Sequence, residues 1–124
     1  MTLSLVRLEL ARDPKFPDGS SRHGYEFKAP LDAQGLIDHE GWKAKRKRCT
    51  VRRFWNGEDD EEGHLVRHRG GWAFHYDIEG DPESDEPGYR FDSHPFKVGE
   101  YVSLKEQDGA LKTFRIVSVK PIVV

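Results

Sequence analysis

Chemistry is most concentrated in the stretch 42–55, WKAKRKRCTVRRFW. Lys43, Lys45, Arg46, Lys47, Arg48, Arg52 and Arg53 follow one another with no acid among them, and Trp42, Phe54 and Trp55 stand at the borders. Cationic side chains neutralise phosphates and aromatic faces stack on unpaired bases, so the composition suits RNA or single-stranded DNA. Trp42, Arg46, Arg48, Arg52, Arg53 and Trp55 are the candidate contacts. The competing reading is internal pairing. Glu58, Asp59, Asp60, Glu61 and Glu62 follow at once, and Asp77, Glu79, Asp81, Glu83, Asp85 and Glu86 come later. An acidic loop so close repels phosphate or screens the patch, and a run of cations on a helix is often only a solvated face.

Histidines form the next constellation. A two-residue turn at Gly70-Gly71 pairs Arg69 with Trp72, Val66 with His75 and His64 with Asp77. His64, His68, His75 and Asp77 then share one strand face, and Leu65, Trp72, Phe74 and Tyr76 share the other. Imidazole and carboxylate on adjacent strands could hold Zn²⁺, with His64, His75 and Asp77 as the ligand set. The blander reading, surface histidines alternating with an aromatic core, is the stronger one, and no cofactor is expected. Neither acidic loop has the ordering of a dedicated calcium loop.

Signals for nucleophilic catalysis are weaker still. Basic neighbours lower the pKa of Cys49 if it is exposed, but packing behind Trp42 is the better expectation. Ser93 and His94 adjoin, and adjacent side chains of an extended segment point apart. No nucleophile elbow, zinc-protease motif, phosphate-binding loop or dinucleotide fingerprint occurs. The chain leans toward a non-catalytic role.

The elements that must position these groups are mainly strands. In 98–119, VGEYVSLKEQDGALKTFRIVSV, two alternating segments meet at Asp108-Gly109. A strict two-residue loop there sets Val102 against Arg115. A three-residue loop, 107–109, pairs Val102 with Phe114 and puts Leu104 and Ile116 on one side. Because a one-residue slip flips every side chain, burial selects the second, with a type I turn and a bulge at Gly109. Tyr101, Ser103, Lys105, Thr113 and Arg115 take the other face, together with Val117 and Val119.

Upstream, Val6, Leu8 and Leu10 alternate with charges in a first strand, with a bulge near its start because Leu3 and Leu5 fall out of phase. Residues 11–23 read as a long loop, and 24–30 as a strand with Tyr25 and Phe27 on one side. Asp38 caps a short helix near 39–48. A strand 49–55, a hairpin over 64–78, a Pro- and acid-rich loop 77–88 and a short strand 89–91 precede the closing hairpin. About seven or eight strands at this spacing indicate a compact antiparallel barrel or rolled sheet with one short α-helix.

Composition sets the remaining bounds. A chain of 124 residues fits a single domain with one modest core. Hydrophobic residues make up 35% and charged residues 34%, which argues against a large apolar interface, and no run reaches the ~18 apolar residues of a membrane-spanning helix. Arg7 and Glu9 break the apolar start, so it reads as a strand rather than a leader. A lone cysteine excludes an intrachain disulfide and fits a reducing, cytoplasmic setting. The net charge of −2 means that nucleic-acid binding would need local charge separation.

The combination of HGYEF, TVRRFWNGEDDEEGHL, GWAFHYD and FKVGEYVSL with TFRIVSV resembles a family of small uncharacterised bacterial proteins of unknown function. The likeness runs over nearly the whole chain and implies no activity. VGEYVSLKEQDG followed by FRIVSV is also similar to the closing strands of SH3-like and PUA/ASCH-like barrels, which implies a fold and carries over no motif residue.

The expectation is therefore a soluble binding or interaction module with a charge-divided surface, meeting an unknown protein partner of opposite arrangement. Its alternatives are RNA or single-strand binding through 42–55 and metal binding on the 64–77 hairpin.

Overall fold

Alternation of apolar and polar residues drives eight strands into one sheet that closes on itself. They are β1 (Leu3–Leu10), β2 (Ser20–Ala29), β3 (Thr50–Trp55), β4 (Glu61–His68), β5 (Gly71–Tyr76), β6 (Glu86–Tyr89), β7 (Tyr101–Lys105) and β8 (Leu111–Ile122). The computed structural model describes residues 2–76, 86–106 and 108–122. Each strand pairs antiparallel with the next and β8 returns to β1, forming a closed barrel. Closure removes the unpaired edges that an open sheet would present.

The closing hairpin has the register that burial demands. Val102 pairs with Phe114 and Ser103 with Thr113. Glu106 N donates to Ala110 O and Gly109 N to Glu106 O, with Gly109 at φ 88°, as a type I turn with a bulge requires. Val102, Leu104, Phe114 and Ile116 are buried, while Tyr101, Lys105, Thr113 and Arg115 face outward. Val119 departs from the expectation. The β1–β8 register shifts between Arg7–Ser118 and Leu8–Ile116, so Val117 is the extra residue and Val119 turns back against the core.

Other boundaries also differ from the sequence reading, and β4 begins at Glu61 rather than at 64. β2 begins at Ser20, which shortens the loop after β1, and β6 begins at Glu86 inside the expected acidic loop. The β4–β5 turn uses Arg69 (φ 50°) and Gly70 (φ 80°) rather than the glycine pair, as a type I′ turn. This register sets Leu65 opposite Phe74 in the core and leaves Arg67 opposite Trp72, its guanidinium 4.6 Å from the ring centre. The expected register would have opposed Arg67 to buried Phe74.

One end of the barrel is plugged. Helix α1 (His39–Lys45) is capped by Asp38, whose carboxylate accepts from Glu40 N and Gly41 N, and it runs into a 3-10 turn at Arg46–Arg48. Trp42 lies edge-on to Trp72 with ring centres 5.2 Å apart, and its Nε1 donates to Leu65 O at 2.8 Å. Phe91 and Phe96 pack against Phe27, and aromatic rings fill most of the interior. The opposite end, formed by the end of β3, the starts of β4, β6 and β8 and the end of β7, stays open. This open end is the mouth of the barrel.

Candidate functional site

Inward parity along the strands carries polar groups to the mouth. Tyr25 pairs with Arg53 across β2 and β3, and both point into the barrel in phase with Phe27 and Val51. Glu106 continues the inward series of Val102 and Leu104, and Glu86 opens β6 opposite Phe74. Tyr76, the last residue of β5, completes the group. Glu86 is 1% exposed and Glu106 7%, although carboxyl groups are almost never buried unless paired.

The hydrogen bonds explain how two acids sit side by side. Tyr76 Oη donates to Glu86 Oε1 at 2.5 Å, and Tyr25 Oη donates to Glu106 Oε2 at 2.5 Å. Tyr25 Oη also lies 3.1 Å from Glu86 Oε1. A phenol has one proton to give, so the second Tyr25 contact is a hydrogen bond only when Glu86 carries a proton. Burial, followed by the hydrogen bond and the like charge of Glu106, pushes Glu86 up to about 8. At neutral pH Glu86 therefore carries a proton.

Arg53 supplies the compensating charge. Its guanidinium lies 3.9 Å from Glu86 Oε2 and 3.7 Å from Glu106 Oε1, and it also reaches Glu58 at 3.3 Å and Glu61 at 3.8 Å. Burial works to lower its pKa, but the oxygens of Tyr25, Glu106 and Glu86 outweigh that, so it stays charged. Burial and then Glu86 raise Tyr76, and burial also raises Tyr25, so both phenols remain donors.

Three buried atoms have no hydrogen-bond partner among the described residues: Arg53 Nε, Glu86 Oε2 and Glu106 Oε1. A ligand that gives protons to the oxygens and accepts one from Nε would satisfy all of them. The three residues line a pocket of about 360 Å³, whose walls include Phe16, Trp55, Glu58 and Lys112. Lys112 is held by Asp13 at 3.2 Å. His23 sits beside the pocket, 4.5 Å from Phe16 and 4.6 Å from Trp55 between ring centres. Burial, then Arg53, lowers its pKa.

The fold separates the sequence-predicted contacts into three places. Arg53 and Trp55 belong to the mouth, with the Arg53 guanidinium 4.4 Å from the Trp55 ring centre. Arg52 lies on the outer face, paired with Glu26 and with Asp60, which is the internal pairing weighed against phosphate binding. Trp42, Arg46 and Arg48 lie at the plugged end. There Trp42 is 7% exposed and anchors the helix instead of offering a stacking face.

His64 pairs with His75 across β4 and β5, not with Asp77, which lies outside the described residues. No group of three potential ligands occurs among the described residues. Cys49 is fully buried, and burial pushes its thiol up to about 11, so the reactive form is suppressed. No helix of the described residues is long and apolar enough to cross a membrane.

Sequence reasoning missed Tyr25, Tyr76, Glu86 and Glu106 as site residues. The signal was parity: Glu106 is in phase with Val102 and Leu104, and Arg53 with Val51. No protein family, curated protein or solved structure matches this chain.

Proposed function

We propose that this protein is a small-ligand-binding barrel whose mouth takes a polar molecule bearing hydrogen-bond donors for the carboxyl oxygens and an acceptor for Arg53 Nε, such as an amine or amidine that also carries a hydroxyl or carbonyl oxygen. The observation that carries this reading is the set of unpartnered buried atoms on Arg53, Glu86 and Glu106, three residues that line a pocket of about 360 Å³. Barrel mouths are common ligand sites, and a few convergent polar groups on apolar walls are their usual chemistry. Acids outnumber bases on this lining, which favours a cationic donor over an anion. Phe16 and Trp55 supply aromatic surface for the body of such a molecule.

A binding role also fits the rigidity of the group. Tyr25, Tyr76 and Arg53 hold the carboxyl groups from three strands, so recognition needs little reordering on entry. The test is a thermal-melt screen with primary amines, amidines, heteroaromatic bases and carboxylates at millimolar concentration. Donor-bearing cations should raise the melting temperature, and Glu106→Gln should abolish the rise. No response to any of these ligands, or a response unchanged in Glu106→Gln, would overturn the reading.

A further inference from the structure

The plugged end carries a second concavity, on the outside of the barrel. Helix α1 and the 3-10 turn lie against β4, fixed by the Trp42–Leu65 hydrogen bond and by Leu65 N donating to Cys49 O at 2.9 Å. Between them is a pocket of about 480 Å³ lined by Trp42, Leu65 and Val66, with Arg46, Lys47 and Arg67 at its rim. Lys43, Arg46, Lys47 and Arg48 are exposed and make no ion pair among the described residues. This contrasts with Arg52 and Arg53, which the protein's own carboxylates occupy. The self-repulsion of the exposed group is the electrostatic footprint of a polyanion partner.

Shape narrows the class. The phosphate backbone of a duplex meets cations but has no flat apolar group to place in a concavity between them. An unpaired nucleotide has both a base and a phosphate. We infer that this groove binds single-stranded RNA or DNA, one base packed against Val66 and the exposed edge of Trp42 and the flanking phosphates on Arg46, Lys47 and Arg67. The site is independent of the mouth and shares no residue with it. It keeps Trp42, Arg46 and Lys47 of the basic stretch, adds Arg67 from β4, and leaves out Arg48, Arg52, Arg53 and Trp55.

The experiment uses the full chain and a fluorescently labelled 12-nucleotide RNA of mixed sequence, read by anisotropy. Three phosphate contacts on a single strand give a logarithmic salt slope of about −2, so affinity should fall roughly 20-fold between 50 and 200 mM salt. Reversing the rim charges with Arg46→Glu and Lys47→Glu should lower affinity at least tenfold, with the melting temperature of the protein unchanged. Because base packing contributes beyond charge, a strand of abasic sugars should bind about tenfold more weakly than the RNA. Val66→Asp should remove that difference. The inference is overturned by no anisotropy change at 25 mM salt, or by affinity unaltered in the charge-reversed protein. It is equally overturned if abasic strand or polyglutamate binds as tightly as RNA, which would assign the face to an acidic protein partner.

Discussion

Replacing Glu86 with Gln isolates the proton that the mouth is built to hold. Between its ordinary value of 4.5 and about 8, folded Glu86 retains a proton that the unfolded chain has released. The folded state binds more protons in that window, so stability falls as pH rises through it, then levels above 8. At about 1.4 kcal/mol per pH unit the full interval sets a ceiling on the order of 5 kcal/mol. Relaxation and water entry around the buried carboxyl reduce what is realised to about 2–4 kcal/mol, a large part of a small domain's stability. Gln is neutral throughout, accepts from Tyr76 as the acid does, and has no proton to lose.

Urea unfolding followed by tryptophan fluorescence from pH 5 to 9 measures the effect in both proteins. The wild type should lose about 2–4 kcal/mol relative to Glu86→Gln across the range, most of it between pH 6 and 8. His23 works in the opposite sense. Its pKa is lowered in the fold, by burial first and then by Arg53, so its contribution declines as pH falls below 6.5. It does so in both proteins and cancels in the difference. Parallel pH profiles for the two proteins would refute the proton held on Glu86.

Further outcomes follow from the same geometry. The affinity of a cationic donor at the mouth should rise up to about tenfold per pH unit below 8 and flatten above it, because entry displaces the proton of Glu86; calorimetry at three pH values checks this. Gly24→Ala places a Cβ 1.9 Å from Leu8 O and 3.0 Å from the Phe54 ring, forcing β1 and β2 apart. It should cost about 2–4 kcal/mol in a denaturant melt, and a change below 1 kcal/mol would contradict the close approach. Arg52→Ala breaks ion pairs to Glu26 and Asp60 on a side chain 37% exposed, so it should cost about 1 kcal/mol or less. It should also leave RNA affinity within about twofold, since Arg52 lies outside the groove. Cys49 should resist a thiol reagent until the protein unfolds, and stoichiometric native labelling within minutes would contradict its burial.

Local pattern carried most of the fold. In the 98–119 hairpin, burial of Val102, Leu104, Phe114 and Ile116 selects one loop length, and that register forms. Asp38 marked the helix start because its carboxylate has free backbone donors within reach. The β4–β5 turn was misplaced by one residue because glycine's preference for positive φ was weighed above the pairing of Leu65 with Phe74. The Val117 bulge was not legible, since it answers to the curvature of β8 along β1 and not to any residue of β8.

The candidate site was largely hidden for the same physical reason. Arg53 and Trp55 were singled out, but as a solvent-facing patch. Their inward direction depends on β2 and β4 flanking β3. Glu86 and Glu106, twenty residues apart, become neighbours only when β6 and β7 pair and the barrel closes. Acids in phase with buried aliphatics were the trace they left in the sequence.

The most direct measurement is a ¹³C NMR titration of the glutamate side-chain carboxyl groups, with Glu86→Gln to assign the resonance. One carboxyl should titrate near 8, disappear in the variant, and shift when a donor-bearing ligand enters the mouth. If every glutamate titrates between about 4 and 5 in the folded protein, Glu86 holds no proton at neutral pH and the mouth is not the site described here.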